Sequence, residues 1–167
     1  MVWASTKLTI WDYIYRDIKT LSFSYKGKNP ELLYKKVKEL LKYVFGILPG
    51  GFQEKSYSIN KTDNGLEFEA EWEAIRQLDD FSYLKVDITI RGFSSGGVGK
   101  VSISYRPVLM TEYPQDTFWQ QSIFYEILRR IWHTLFYRKK RDEYYELGRE
   151  LSEKFESELK EYMQKIG

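Results

Sequence analysis

The residues most suggestive of chemistry form an acidic ladder. Glu67, Glu69, Glu71 and Glu73 alternate with Phe68, Ala70, Trp72 and Ala74. A strand turns successive side chains to opposite faces, so the four carboxylates share one face. Paired carboxylates in an apolar cleft split their pKa values and exchange protons, or hold a hard cation. Here the facing residues are Ser56, Ser58 and Asn60, and the next strand offers Lys85 and Arg91. Cross-strand charge pairing on a wet sheet face is the expectation, with no catalytic residue and no metal assigned.

Other motifs reduce in the same way. Residues 92–100 end like a phosphate loop, but Ser94 stands where the first glycine belongs and Val101 where a Ser or Thr is needed. A flexible hairpin loop is expected there. His133 is the sole histidine and shares a polar stripe with Arg129 and Arg130, with no nucleophile at a readable spacing. One His and no Cys exclude thiolate catalysis, disulfides and a multi-histidine zinc site within one chain. No cofactor fingerprint is present, and the reading leans away from an enzyme. Arg129, Arg130, Arg138, Lys139, Lys140 and Arg141 form a basic stretch with aromatics nearby, an alternative reading as a nucleic-acid surface. The net charge of +2 argues against it.

Aromatics are abundant, with 14 Tyr and 5 Trp. Such side chains favour places that are half apolar and half wet. Trp72, Tyr105, Phe124 and Trp132 are the candidates to line an apolar groove.

These residues need elements to hold them. Residues 1–20 fit a helix or a strand. Thr20 to Tyr25 alternates as a half-buried strand. Asn29-Pro30-Glu31 opens a helix whose stripe is Leu33, Val37, Leu40, Leu41, Val44 and Leu48. Lys35, Lys38 and Lys42 lie on its solvated face. Asn64-Gly65 signals a two-residue hairpin turn, placing Ile59 opposite Ala70 and Tyr57 opposite Trp72. Leu84, Val86, Ile88 and Ile90 point inward on the next strand, and Val101, Ile103 and Tyr105 on the one after. From Pro114 to Gly167 the chain reads as helix, with a capping box at Thr117 and Gln120.

That helix has two apolar faces. Phe124, Ile127, Leu128, Ile131, Trp132, Leu135 and Phe136 share one arc, expected to cover the sheet. Beyond Arg138–Arg141 the apolar set is Leu147, Leu151, Phe155 and Leu159, turned by about half a revolution on a straight helix. Either the chain reverses near 138–143, or these four meet a partner, most simply in a homodimer.

The fold class is therefore α+β, one domain over 1–167. An antiparallel sheet of about five strands, in β-α-β-β-β-β-α order, packs on a long C-terminal helix. Residues 142–167 are a helical tail that packs back or mediates oligomerisation. By topology this resembles a shortened helix-grip arrangement, as in START and Bet v 1-like proteins. That resemblance implies an apolar small molecule held between sheet and helix. The expected function is a non-catalytic binding module of this kind; docking of a partner through the C-terminal helix is the alternative. No transmembrane span or signal peptide is read, so a cytoplasmic location is expected. The Lys-, Glu- and Tyr-rich, Cys-free composition would suit a thermophile.

Overall fold

The computed structural model describes residues 7–16, 18–114 and 117–167. Residues 1–6 of the ambiguous N-terminal stretch lie outside these, as do position 17 and the two positions ahead of Thr117.

Period-two alternation becomes a six-stranded antiparallel sheet. Its strands are β1 (Lys7–Tyr13), β2 (Leu21–Lys28), β3 (Phe52–Thr62), β4 (Gly65–Gln77), β5 (Ser82–Ser95) and β6 (Val98–Pro114). The order across the sheet is β1–β6–β5–β4–β3, and β2 also pairs with β6. At 17 residues β6 has room for two partners along one edge: β2 against 98–105 and β1 against 108–114. Pro107, which has no N–H to give, falls at the handover between them. The sixth strand, β1, resolves the N-terminal ambiguity through its pairing with β6. The 92–100 segment is not a loose loop. Both strands run through it to a tight turn at Gly96-Gly97, each with positive φ.

The hairpin of β3 and β4 forms, but its register differs from expectation by two residues. Tyr57 faces Ala70, Ile59 faces Phe68 and Thr62 faces Gly65, so the turn centres on Asp63-Asn64. Gly65, not Asn64, takes the positive φ. An even shift keeps every side chain on its expected face. Trp72 is buried, Tyr57 on the same face is half exposed, and the glutamates turn away from the core. Arg91 meets Glu69 at 2.7 Å and Lys85 meets Glu73 at 2.7 Å, as the charge pattern implies.

Helix α1 (Leu32–Phe45) starts later than Asn29-Pro30 suggests. Asn29 adopts a left-handed φ of 49°, and Glu31 occupies the N-cap position. The expected stripe is buried except Leu48. The C-terminal helix is continuous: α2 (Ile123–Trp132), a π-helical turn (His133–Tyr137) and α3 (Arg138–Ile166). It spans roughly 65 Å at ~1.5 Å per residue. The Thr117–Gln120 box does form, at 3.0 and 3.3 Å, but it closes a separate turn. The helix itself is capped by Ser122, whose hydroxyl accepts from the Tyr125 N–H.

The core lies between one sheet face and the pair α1 and α3. Phe155 stacks on Tyr105 at 5.0 Å and packs on Phe45. The Tyr105 hydroxyl donates to Ser152 at 2.7 Å, and Ser152 donates to the Gly148 carbonyl. Gly148 lets α3 close on the sheet: a Cβ there would come within 2.7 Å of Ile14 and 2.9 Å of Leu84.

The expectation for the two helix faces is therefore corrected. Most of the apolar arc of 118–137 does not cover the sheet; Ile123, Phe124, Ile127, Ile131 and Leu135 are exposed. Nor does the chain reverse near 138–143. Phe155 and Leu159 are fully buried in the core of their own chain, so they form no partner surface. Leu147 and Leu151 are half-buried.

Phe155→Ala should cost about 3–5 kcal/mol in urea unfolding, the usual range for a buried aromatic. Phe124→Ala, on the outward face, should stay within about 0.5 kcal/mol. A larger cost for Phe124→Ala than for Phe155→Ala would mean that the two faces are assigned the wrong way round.

Candidate functional site

Where α2 crosses the end of the sheet, the turn after β4 supplies the first fixed group. The Asp79 carboxylate accepts from the N–H groups of Phe81 and Ser82, both at 2.8 Å, and so pins that turn. The same carboxylate reaches the helix, accepting from Tyr137 at 3.0 Å and Tyr144 at 3.1 Å and pairing with Lys140 at 3.1 Å. Burial alone would raise its pKa, but these donors hold it below the ordinary carboxylate value. Beneath, the buried Ser82 hydroxyl bridges Thr111 and Tyr137 at 2.7 and 2.6 Å.

Upstream of this clamp the helix turns a polar stripe toward the sheet. Glu126, Arg129, His133, Tyr137 and Arg141 follow one another at three- and four-residue steps. Arg129 pairs with Glu126 at 2.9 Å and lies over the Tyr113 ring, 5.4 Å from its centroid. The Tyr113 hydroxyl hydrogen-bonds His133 Nδ1 at 2.7 Å. Burial pushes the Tyr113 phenol up to about 12, against the pull of Arg141 and Arg129. Burial lowers the His133 pKa, and the nearby Arg141 and Arg129 charges add to this. In the tautomer with Nδ1 unprotonated, His133 accepts a hydrogen bond from the Tyr113 hydroxyl.

Two buried polar atoms, among the described residues, lack a hydrogen-bond partner: Arg129 Nε and Arg141 Nη2. The latter lies 2.9 Å from Asp12, close enough to pair but not aligned as a hydrogen bond. The Arg129 side chain is only 8% exposed. It forms one wall of a cleft of about 330 Å³ otherwise lined by Phe81, Tyr113, Trp119, Leu128 and Trp132, with Tyr125 at its edge. On the other side of His133 a polar recess of about 390 Å³ is bounded by Asp12, Arg16, Arg138 and Arg141. A larger groove of about 650 Å³ lies along the outer sheet face, beside Phe93, Lys26 and the Arg91–Glu69 pair. No buried unsatisfied atom lines that groove. The aromatic cleft is the better candidate, because an apolar wall with one convergent charge is what small-molecule sites share.

The four expected groove residues are not brought together. Trp132 lines the cleft, and Phe124 stands beside Trp119 on the exposed side. Trp72 and Tyr105 belong to the core, where the Trp72 indole N–H donates to Glu54 at 2.7 Å. The basic stretch is also divided. Arg129 and Arg141 turn inward and Lys140 binds Asp79, leaving Arg130, Arg138 and Lys139 at the surface. Phe81 and Tyr113 were not singled out in the sequence. The one available signal was the polar stripe of α2, which reads as solvent-facing when the sheet is assigned to the apolar arc.

No protein-family model and no curated protein matches the chain. Among solved structures it is similar to SA2116, a protein of unknown function from Staphylococcus aureus. That likeness covers 97% of this chain and 96% of the other, at 13% identity and a TM-score of 0.29. It is also similar to Ara h 8.0201 over 78% and 94%, at 12% identity and a TM-score of 0.22. Neither likeness is close enough to bear on function.

The lowered His133 pKa fixes a pH effect. Below the ordinary imidazole value of 6.5 the unfolded chain takes up a proton that the folded chain resists. Stability is thus fully present above that value and falls as pH drops below it. Urea midpoints between about pH 7.5 and 5.5 should show this fall, and His133→Gln should flatten it. An unchanged slope in the variant would place the titration elsewhere.

Proposed function

We propose that this chain is a non-catalytic binding module whose aromatic cleft takes a small apolar molecule bearing one anionic group. The site lies between the sheet and the C-terminal helix, at the end of the sheet rather than in its core. The observation that carries this reading is Arg129: a side chain 8% exposed, its Nε unsatisfied, on a wall that is otherwise aromatic apart from Leu128. The guanidinium is paired with Glu126 through Nη2, but its buried Nε–H has no acceptor, which is costly, and a ligand carboxylate would supply one. The surrounding rings supply the apolar contact, and the size of the cleft lies at the small end for ligand sites.

Calorimetry with decanoate, and with decanol as its uncharged analogue, tests the assignment. Decanoate should bind the wild type, and Arg129→Gln should weaken it by about tenfold or more, the loss of one charge-assisted hydrogen bond. Leu128→Trp, which fills the cleft, should abolish binding. Equal affinity for decanol and decanoate, or an Arg129→Gln variant that folds normally and binds unchanged, would overturn the proposal.

A further inference from the structure

The outward face of α2 stands apart from the cleft. Glu126, Arg129 and His133 turn toward the sheet; roughly opposite them lie Ile123, Phe124, Ile127, Ile131 and Leu135. These side chains are 48–81% exposed, and Phe118 before the helix is 93% exposed. Among the described residues nothing covers them. Single exposed apolar residues are ordinary, but a contiguous row of this size marks an interaction site.

Charge decides which partner fits. Between residues 117 and 141 there are six Lys or Arg and one acid, Glu126, which is taken by Arg129. Arg130 and Arg138 are exposed along one edge of the apolar row, and Lys139 is exposed at its C-terminal end. No ion pair to any of these three is found among the described residues. A second copy docked face to face would bring the same cations and, among the described residues, no free carboxylate on that face. An anionic plane supplies the missing charge along the whole row. The residue types agree: Phe, Ile and Leu on one side, Arg and Lys at the margin, is the pattern of a helix lying in a lipid interface. Among the described residues no helix is long and apolar enough to cross a membrane, and the mode inferred for α2 is lying on the surface.

We infer that α2 docks this protein on an anionic lipid surface, with Ile123, Phe124, Ile127 and Ile131 in the acyl boundary and Arg130, Arg138 and Lys139 at the headgroups. None of these side chains lines the cleft, whose α2 walls are Tyr125, Leu128, Arg129 and Trp132.

Cosedimentation of the full chain with vesicles tests this. The protein should partition onto phosphatidylcholine vesicles containing phosphatidylserine and at least about tenfold less onto phosphatidylcholine alone. The double variant Ile127→Gln/Ile131→Gln should lose binding, and Arg130→Gln/Arg138→Gln should lose the preference for phosphatidylserine and its salt sensitivity. Both pairs are exposed, and near-ultraviolet dichroism confirms that the core is unchanged. Decanoate binding, measured on the same variants, should survive in both, so failure of the lipid surface and failure of the cleft are read separately. No vesicle binding, equal partition onto the neutral vesicles, or a dimer in light scattering that the Ile127→Gln/Ile131→Gln pair dissolves without any vesicle binding would each overturn the inference.

Discussion

The Asp79 carboxylate is the constraint on which the arrangement of sheet and helix depends. It closes the turn between β4 and β5 through two backbone donors and grips the helix through Tyr137, Lys140 and Tyr144. These partners bracket the end of the π-helical turn at His133–Tyr137. A π turn winds more slowly than an α-helix, so five residues of it rotate everything downstream by roughly a quarter turn. That rotation lets one line of the helix face the sheet from Arg129 through His133, Tyr137 and Arg141 to Gly148, Ser152 and Phe155. Without it, the stripe that holds Tyr113 and the stripe that fills the core would point in different directions.

Much of the sheet was legible because alternation has only two phases. The inward sets on β4, β5 and β6 and the pairing of Glu69 and Glu73 with Arg91 and Lys85 follow from parity, which survives even the two-residue error in the hairpin register. Strand β1 was not legible, because its pairing with one half of β6 is a long-range fact. Leu8, Trp11, Tyr15 and Ile18 fit a helix as well as Trp11, Tyr13 and Tyr15 fit a strand. The C-terminal helix misled for another reason. A hydrophobic arc says that a helix is amphipathic but not which way it faces. The upstream arc is the more apolar of the two, so it looked like the core. The outcome turned on two small residues: Gly148, which admits Ile14 and Leu84, and Ser152, which satisfies the Tyr105 hydroxyl.

The candidate site was legible only in fragments, as one Trp and one Arg assigned to different roles. Its logic is one of satisfaction. The buried polar side chains Ser82, Thr111 and Ser152 all have partners. The two unsatisfied atoms found among the described residues sit on either side of His133. Native interiors leave few such groups, and a cluster of exceptions in one place is informative. No pattern in the sequence distinguishes Arg129, buried beside an aromatic ring, from Arg130, its exposed neighbour.

The unbroken helix has a mechanical consequence. Its two ends belong to one rod, longer than the sheet it lies on, with Asp79 near the middle. The rod is a lever and the turn after β4 its fulcrum. Load applied to the overhanging arm is resisted on the far arm, where Gly148 meets Ile14 and Leu84 with no slack. Whatever seats against α2 therefore presses, through some twenty residues of helix, on the close approach of α3 to Ile14 and Leu84.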